Sequence, residues 1–371
     1  MQRWDIFCAV IDNYGDAAVS WRLARQLAEE HDIAVRLWIN DLRPLSALCP
    51  EIDAALVRQT CRKVEVRWWP EDFPAVEPAD TVIETFACEL PDAYLAAMAA
   101  AEPMPRWINL EYLSAENWVR GCHRLPSPHP RLHLPKHFFF PGFLPDTGGL
   151  LRETDLLERR RAFQASAGQQ TAFWRELGCE PAVPALKVSL FGYENPALED
   201  LLQAWSDNPT PIWCALPQSR LSASIAARFG AAEVWQSGNL TLQRLPFLDT
   251  ERYDRLLWAC DLNFIRGEDS FVRALWAGRP LVWHIYPQDA AAHHDKLHAF
   301  LDLYQLGLDA ENTAVLRAFW QAWNGIGERP LSWKAWQNSQ PALARHHETW
   351  LERLTAQTDL TANLVKFASI G

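Results

Sequence analysis

The chain has 371 residues, 49% of them hydrophobic, and a formal net charge of −11. That is enough apolar material for two domains with their own cores, and the acidic balance excludes the basic footprint that non-specific nucleic-acid binding needs. The N-terminus shows no basic segment leading into an apolar one, and no run nears the roughly 18 apolar residues of a membrane span, so a soluble, cytoplasmic protein with no nucleic-acid or membrane partner is expected.

Residues 4–11 are apolar except for Asp5, as in a buried parallel strand. Residues 17–31 carry Val19, Leu23 and Leu27 as a helical stripe. Strands are expected at 34–39, 63–69, 81–86 and 106–110, with a helix at 91–100 before the last. Between 114 and 149, Pro126, Pro128, Pro130, Pro135, Pro141 and Pro145 break the pattern, which predicts an extended segment leading to a domain junction. Residues 150–177 read as charged and helical. A second series follows: strands at 186–191, 211–216, 240–245, 261–265 and 280–284, and helices at 196–205, 219–229, 250–259 and 270–278. The tail from 288 onward is almost all helical, and Trp320 with Trp323 forms an i, i+3 pair of the kind that packs a core.

Alternating strands and helices define an α/β layer architecture. Two such halves with a helical tail resemble the GT-B glycosyltransferase plan, two Rossmann-like domains facing a cleft. The expected division is 1–178, acceptor-binding, with a C-terminal helix at 350–371 packing back on it, and 179–349, nucleotide-sugar-binding.

Ligands of open α/β sheets bind beyond the carboxyl ends of the strands, which selects three loops. The first holds Asp12, Asn13, Tyr14, Gly15 and Asp16. Its two carboxylates could face a cleft, or Asp16 could cap the next helix while Asp12 closes a turn. The second holds Arg266, Gly267, Glu268, Asp269 and Ser270. A loop feeding a helix start suits a negatively charged ligand, with Asp269 and Ser270 as natural N-caps. A surface turn is the plainer alternative, with Arg266 paired to a carboxylate. The third holds Phe191 and Tyr193, whose rings could pack on a nucleobase, as could Phe247, or fill the core.

GxGxxG, GxSxG and GxxxxGK[ST] are absent, which disfavours nicotinamide dehydrogenases, serine hydrolases and P-loop enzymes. The eight cysteines form no CxxC pair and read as reduced thiols with neither a metal site nor a disulfide framework. His284, His293, His294 and His298 lack an HExxH pattern and are expected on helix surfaces.

Three stretches are more specific: WDIFCAVIDNYGD, the junction LPSPHPRLHLPKHFFFPGF with the following TGGLLRE, and YDRLLWACDLNFIRGEDSFVRALWAGRPLVWHIYPQ. Together they resemble the EarP family, bacterial protein-arginine rhamnosyltransferases of elongation factor P, over essentially the whole chain. The resemblance implies an inverting, metal-independent transfer of rhamnose from dTDP-β-L-rhamnose to one arginine of elongation factor P, with no cofactor beyond the donor. It places the catalytic residues at Asp12, Asp16 and Glu268, and donor contacts at Phe191, Tyr193, Phe247, Asp269 and Ser270. Thr250 departs from the family pattern, in which many members carry glutamine at this point of base recognition. Another GT-B enzyme, such as a sugar-nucleotide epimerase or a small-molecule glycosyltransferase, and a non-catalytic docking protein are the alternatives.

Overall fold

Strand β1 (Arg3–Cys8) is buried at every position but its first, as a central parallel strand covered on both faces must be. Its one charge, Asp5, lies in the core and accepts hydrogen bonds from the Arg36 guanidinium, at 2.6 Å from Nε, and from the Tyr94 hydroxyl. Burial and that carboxylate push the Tyr94 phenol up. In the computed structural model, which describes residues 2–11, 14–230, 232–287, 292–327 and 330–369, the chain divides into one unit of Met1–Thr154 with Gln357–Gly371 and another of Asp155–Ala356.

The first unit continues with α1 (Gly15–Glu30), β2 (Ala34–Ile39), α2 (Leu42–Leu48), β3 (Arg58–Cys61), β4 (Val64–Trp68), β5 (Thr81–Thr85), α3 (Asp92–Ala100), β6 (Arg106–Leu110), α4 (Asn117–Cys122), β7 (Pro126–Pro128) and β8 (Pro135–Phe139). Among the described residues these strands form an eight-stranded sheet ordered β3-β4-β2-β1-β5-β6-β8-β7. Pairing is parallel except at the edges β3 and β7. Without the edges the order is that of a Rossmann sheet, whose direction reverses between β1 and β5. The segment read as extended at 114–149 thus contains a helix and two strands. Pro126 and Pro128 lie on the edge strand β7 and Pro135 opens β8, where a missing N–H costs no ladder bond, while Pro130, Pro141 and Pro145 lie outside the strands.

The second unit runs α5 (Leu156–Ala165), α6 (Ala167–Glu176), β9 (Leu186–Leu190), α7 (Leu198–Ser206), β10 (Ile212–Leu216), α8 (Arg220–Phe229), β11 (Val234–Ser237), β12 (Leu240–Arg244), α9 (Thr250–Ala259), β13 (Leu262–Arg266), α10 (Asp269–Ala277), β14 (Leu281–His284), α11 (Ala292–Tyr304), α12 (Ala310–Trp323) and α13 (Trp333–Thr355). Its sheet is ordered β11-β12-β10-β9-β13-β14, parallel except for the edge strand β11, and reverses direction between β9 and β13. Trp320 and Trp323 are fully buried, Trp323 edge-on to Phe264 of β13.

The unit boundary differs from the expected one. Helices α5 and α6 belong to the second unit because Phe163 packs on Phe173 and Trp258, and Arg160 donates to the Trp276 carbonyl at 2.8 Å. The chain returns to the first unit at Gln357, just before α14 (Leu360–Ser369). There Thr361 donates to the Gln26 side chain on α1 at 2.8 Å, and the Leu360 amide to the Leu150 carbonyl at 3.0 Å. Gly149 permits this return: its φ is +80°, and an added Cβ would sit 2.5 Å from the Thr358 carbonyl.

His284 and His347 are buried and His123 is half-buried, and desolvation lowers each from 6.5 to about 4. The folded protein keeps them neutral where the unfolded chain takes up protons, so their contribution to stability is present above pH 6.5 and is lost as pH falls towards 4. A urea midpoint followed by tryptophan fluorescence is expected to fall across that window, and replacing His347 by Gln to flatten the fall. An unchanged slope in that variant contradicts the assignment.

Candidate active site

Both sheets present loops at the carboxyl end of their reversal point, where open α/β sheets bind ligands. In the first unit this loop follows β1. Asp12 and Asn13 lie outside the described residues. Tyr14 is the N-cap of α1, 38% exposed, and makes no side-chain cap. Gly15 opens the helix and Asp16 stands in its first turn, so Asp16 is not the N-cap. Its side chain is only 4% exposed, and Oδ2 accepts the Ile11 amide at 2.9 Å. The carboxylate therefore fastens the loop across the helix start, near the positive end of the α1 dipole.

In the second unit the reversal point lies between β9 and β13, and the two loops there meet. The Arg266 guanidinium sits 4.6 Å from the Phe191 ring centroid and 4.8 Å from that of Tyr193, within cation–π range of both. The rings that the sequence offered to a nucleobase thus carry Arg266 on one face. Arg266 is half-buried, its Nε lacks a hydrogen-bond partner, and it forms no ion pair with any described residue. A half-buried guanidinium of this kind has N–H donors to offer an anion. Among the described residues the side chain does not follow the plainer sequence alternative of pairing to a neighbouring carboxylate.

Gly267 follows with φ +68°, and its carbonyl accepts the Trp283 indole N–H at 2.8 Å. This left-handed residue turns the chain from strand into helix in a single step. The N-cap of α10 is Glu268, in αR conformation and without a side-chain cap, while Asp269 and Ser270 are the first helical residues. That corrects the capping expected of those two. The Glu268 Oε1 instead pairs with Lys296 Nζ of α11 at 2.6 Å.

Below this turn the frame is rigid. Arg273 of α10 grips Asp254 of α9 with both arms, Nε–Oδ1 at 2.9 Å and Nη2–Oδ2 at 2.6 Å, and both side chains are nearly fully buried. Phe271 stacks on Trp283 at 4.0 Å. His284 is buried in β14 rather than on a helix surface, and its Nδ1 accepts the Tyr193 amide at 3.3 Å. Burial holds that imidazole neutral, which leaves Nδ1 able to accept.

Phe247 is half-buried in the loop after β12. Thr250 is buried as the first residue of α9, whose cap is the Asp249 side chain, accepting from the Glu251 and Arg252 amides at 3.0 and 2.8 Å. The same helix brings Tyr253 against Phe191, centroids 5.7 Å apart. Lys296, Tyr253 and the Arg273–Asp254 pair have no counterpart in the sequence analysis, and His284 enters there only as a helix-surface residue. No spacing rule signals them, because each is brought in by a separate element of the sheet or its cover.

The first unit thus presents a buried carboxylate at a helix start. The second presents a cation against two aromatic rings beside another helix start, and the two Rossmann-like units carry the fold of the GT-B class. Residues 4–369 match the family described as Elongation-Factor P (EF-P) rhamnosyltransferase EarP. Protein-arginine rhamnosyltransferases are similar over nearly the whole chain. That of Pseudomonas putida is 50% identical, covering 98% of each chain, and that of Pseudomonas aeruginosa 48%, covering 99% of each. That of Neisseria meningitidis serogroup B is 36% identical, covering 98% of this chain and 96% of its own. A solved structure described as the structural basis for EarP-mediated arginine glycosylation of translation elongation factor EF-P matches with a TM-score of 0.70 at 38% identity, covering 99% of this chain and 98% of that one. The chain belongs to the EarP family of protein-arginine rhamnosyltransferases.

Proposed function

We propose that this enzyme transfers rhamnose from dTDP-β-L-rhamnose to an arginine side chain of elongation factor P with inversion at the anomeric carbon. The observation that carries the donor half is Arg266, held between Phe191 and Tyr193 without an ion-pair partner among the described residues. Arg266 and the amides opening α10 stabilise the diphosphate as it departs. Ser270 and Asp269 in the first turn, with Phe247 and Thr250 from the β12–α9 connection, contact the nucleoside.

A guanidinium stays protonated at any physiological pH, and its lone pairs are delocalised. Nucleophilic attack therefore needs in-line orientation and removal of a proton as the bond forms. Asp16 is the proposed base and Asp12 its orienting partner, the pair holding the guanidinium through bidentate hydrogen bonds. The guanidine nitrogen bonds to C1 of the sugar, the bond from C1 to the dTDP oxygen breaks with its electron pair, and the proton passes to Asp16. Glu268 positions the sugar or the arginine, and Lys296 holds Glu268 in place. The reading needs no metal and no cofactor, and the reaction is placed in the cytoplasm.

The direct test incubates elongation factor P with the enzyme and dTDP-β-L-rhamnose and reads the intact mass. One added deoxyhexose, mapped by fragmentation to an arginine and α-configured by NMR, is the expected product. A β linkage overturns inversion, and product formed only with small-molecule acceptors overturns the protein acceptor. For the donor half, replacing Arg266 by Gln is expected to weaken dTDP binding, read by calorimetry, by about tenfold or more, as loss of a charge-assisted contact does. Unchanged dTDP affinity removes Arg266 from the diphosphate site.

A further inference from the structure

Outside this chemistry, one cluster joins three metal-ligating side chains, Cys49, Glu51 and Cys61. Cys49 is the C-cap of α2. Cys61 ends β3 and is followed by Arg62 and Lys63 at φ +46° and +63°, two left-handed residues that form the tight turn into β4. The turn folds the edge strand back so that Cys61 meets Cys49, twelve positions earlier in the chain. A CxxC search does not register such a pair, because a hairpin rather than a short loop brings it together.

The spacing of the ligand atoms is informative. The two Sγ atoms lie 3.8 Å apart, and Cys61 Sγ lies 3.5 Å from Glu51 Oε2. All three ligand atoms fall within 4.8 Å of one another. Tetrahedral zinc, with bonds of about 2.3 Å to sulfur and about 2.1 Å to a carboxylate oxygen, sets two sulfurs about 3.8 Å apart and sulfur and oxygen about 3.6 Å apart. Both cysteines are 6% exposed, so the sulfurs are shielded while the carboxylate reaches them from solvent. The Arg62 guanidinium takes the other oxygen, Oε1, at 2.8 Å, and so leaves Oε2 for a metal.

We propose that Cys49, Cys61 and Glu51 form a binding site for a soft divalent cation, zinc by preference, with water as the fourth ligand. Binding releases the two thiol protons to solvent. Two thiolates and a carboxylate carry three negative charges, which the cation and Arg62 together balance. Thiolate ligands select zinc over magnesium or calcium. Cys61 pairs with Val64, and Val64 with Val35 near the start of β2. The site thus lies at the amino end of the parallel strands, at the opposite end from the loop bearing Asp16. Its role is to clip the C-terminus of α2 to the edge hairpin, not to take part in transfer.

The test adds cobalt(II) to reduced, metal-free full-length protein and records the near-ultraviolet spectrum. Expected is a thiolate-to-cobalt charge-transfer band saturating at one ion per chain and abolished by zinc. The band should be lost in the Cys49→Ser/Cys61→Ser variant and retained in Cys122→Ser, and Glu51→Gln should weaken binding. Absence of the band, or its persistence in the double serine variant, overturns the site. Should that variant not fold, wild-type crystals soaked in zinc decide the matter. An anomalous peak at the zinc edge between the two sulfurs supports the site, and a disulfide between them or no peak overturns it.

Discussion

Replacing Asp16 by Asn is expected to lower the rate of arginine glycosylation by about 10² to 10⁴-fold, the share that a positioned general base supplies, while dTDP affinity stays within twofold of wild type. The substitution separates chemistry from structure. Asp16 is buried and its Oδ2 accepts the Ile11 amide, and an asparagine oxygen accepts the same hydrogen bond. The loop and the first turn of α1 therefore keep their shape, and the melting temperature should barely move. What asparagine cannot do is take a proton from a guanidinium. Single-turnover assays with saturating donor and elongation factor P measure the effect. Residual turnover within tenfold of wild type would refute the base assignment.

The second large effect is on stability. Arg273→Leu deprives the buried Asp254 carboxylate of its bidentate partner, which costs about 3–5 kcal/mol when one half of a buried pair is removed. The melting temperature of the second unit should fall on the order of 10 °C. The double replacement Arg273→Leu with Asp254→Leu is expected to recover most of that loss, because it removes the stranded charge as well. This ion pair joins α9 to α10, the helix whose first turn carries Asp269 and Ser270, so the single variant should also weaken dTDP binding, whereas a distant core truncation of equal cost should not. Chemical denaturation followed by tryptophan fluorescence, with calorimetry on the folded fraction, measures both. A loss under 1 kcal/mol would contradict the role given to the pair.

Much of the fold was legible in the sequence where burial imposes a period. The central strands β2 and β6 lie where their apolar runs place them, because both faces of a parallel strand are covered. The edge strands β3 and β11 escaped notice: RQTC and VWQS are short and largely exposed, and edge strands need no apolar run. The proline-rich segment hid β8, since proline counts against strands in general but not at their first residue. The charged helical pattern of α5 and α6 shows that helices form but not which surface they cover. Phe163, Phe173 and Trp174 settle that by packing within the second unit.

The candidate site divides in the same way. The loops bearing Asp16, Phe191 and Arg266 follow strands that are legible in the sequence, and ligands of open α/β sheets bind beyond the carboxyl ends of such strands. The partners of those residues could not. Lys296 reaches Glu268 from twenty-eight positions away, and His284 reaches the Tyr193 amide across ninety-one. Contacts of that sequence separation are set by tertiary packing and leave no local pattern. The family resemblance that three stretches carry over essentially the whole chain is borne out by the family match over residues 4–369.

The measurement that bears most directly on the donor site is a crystal structure of the enzyme soaked with dTDP-β-L-rhamnose. Expected is a diphosphate within hydrogen-bonding distance of the Arg266 guanidinium and the opening amides of α10, with the thymine ring beside the β12–α9 connection. A nucleotide bound elsewhere on the second unit, with Arg266 still lodged between Phe191 and Tyr193 and untouched by phosphate, would contradict it.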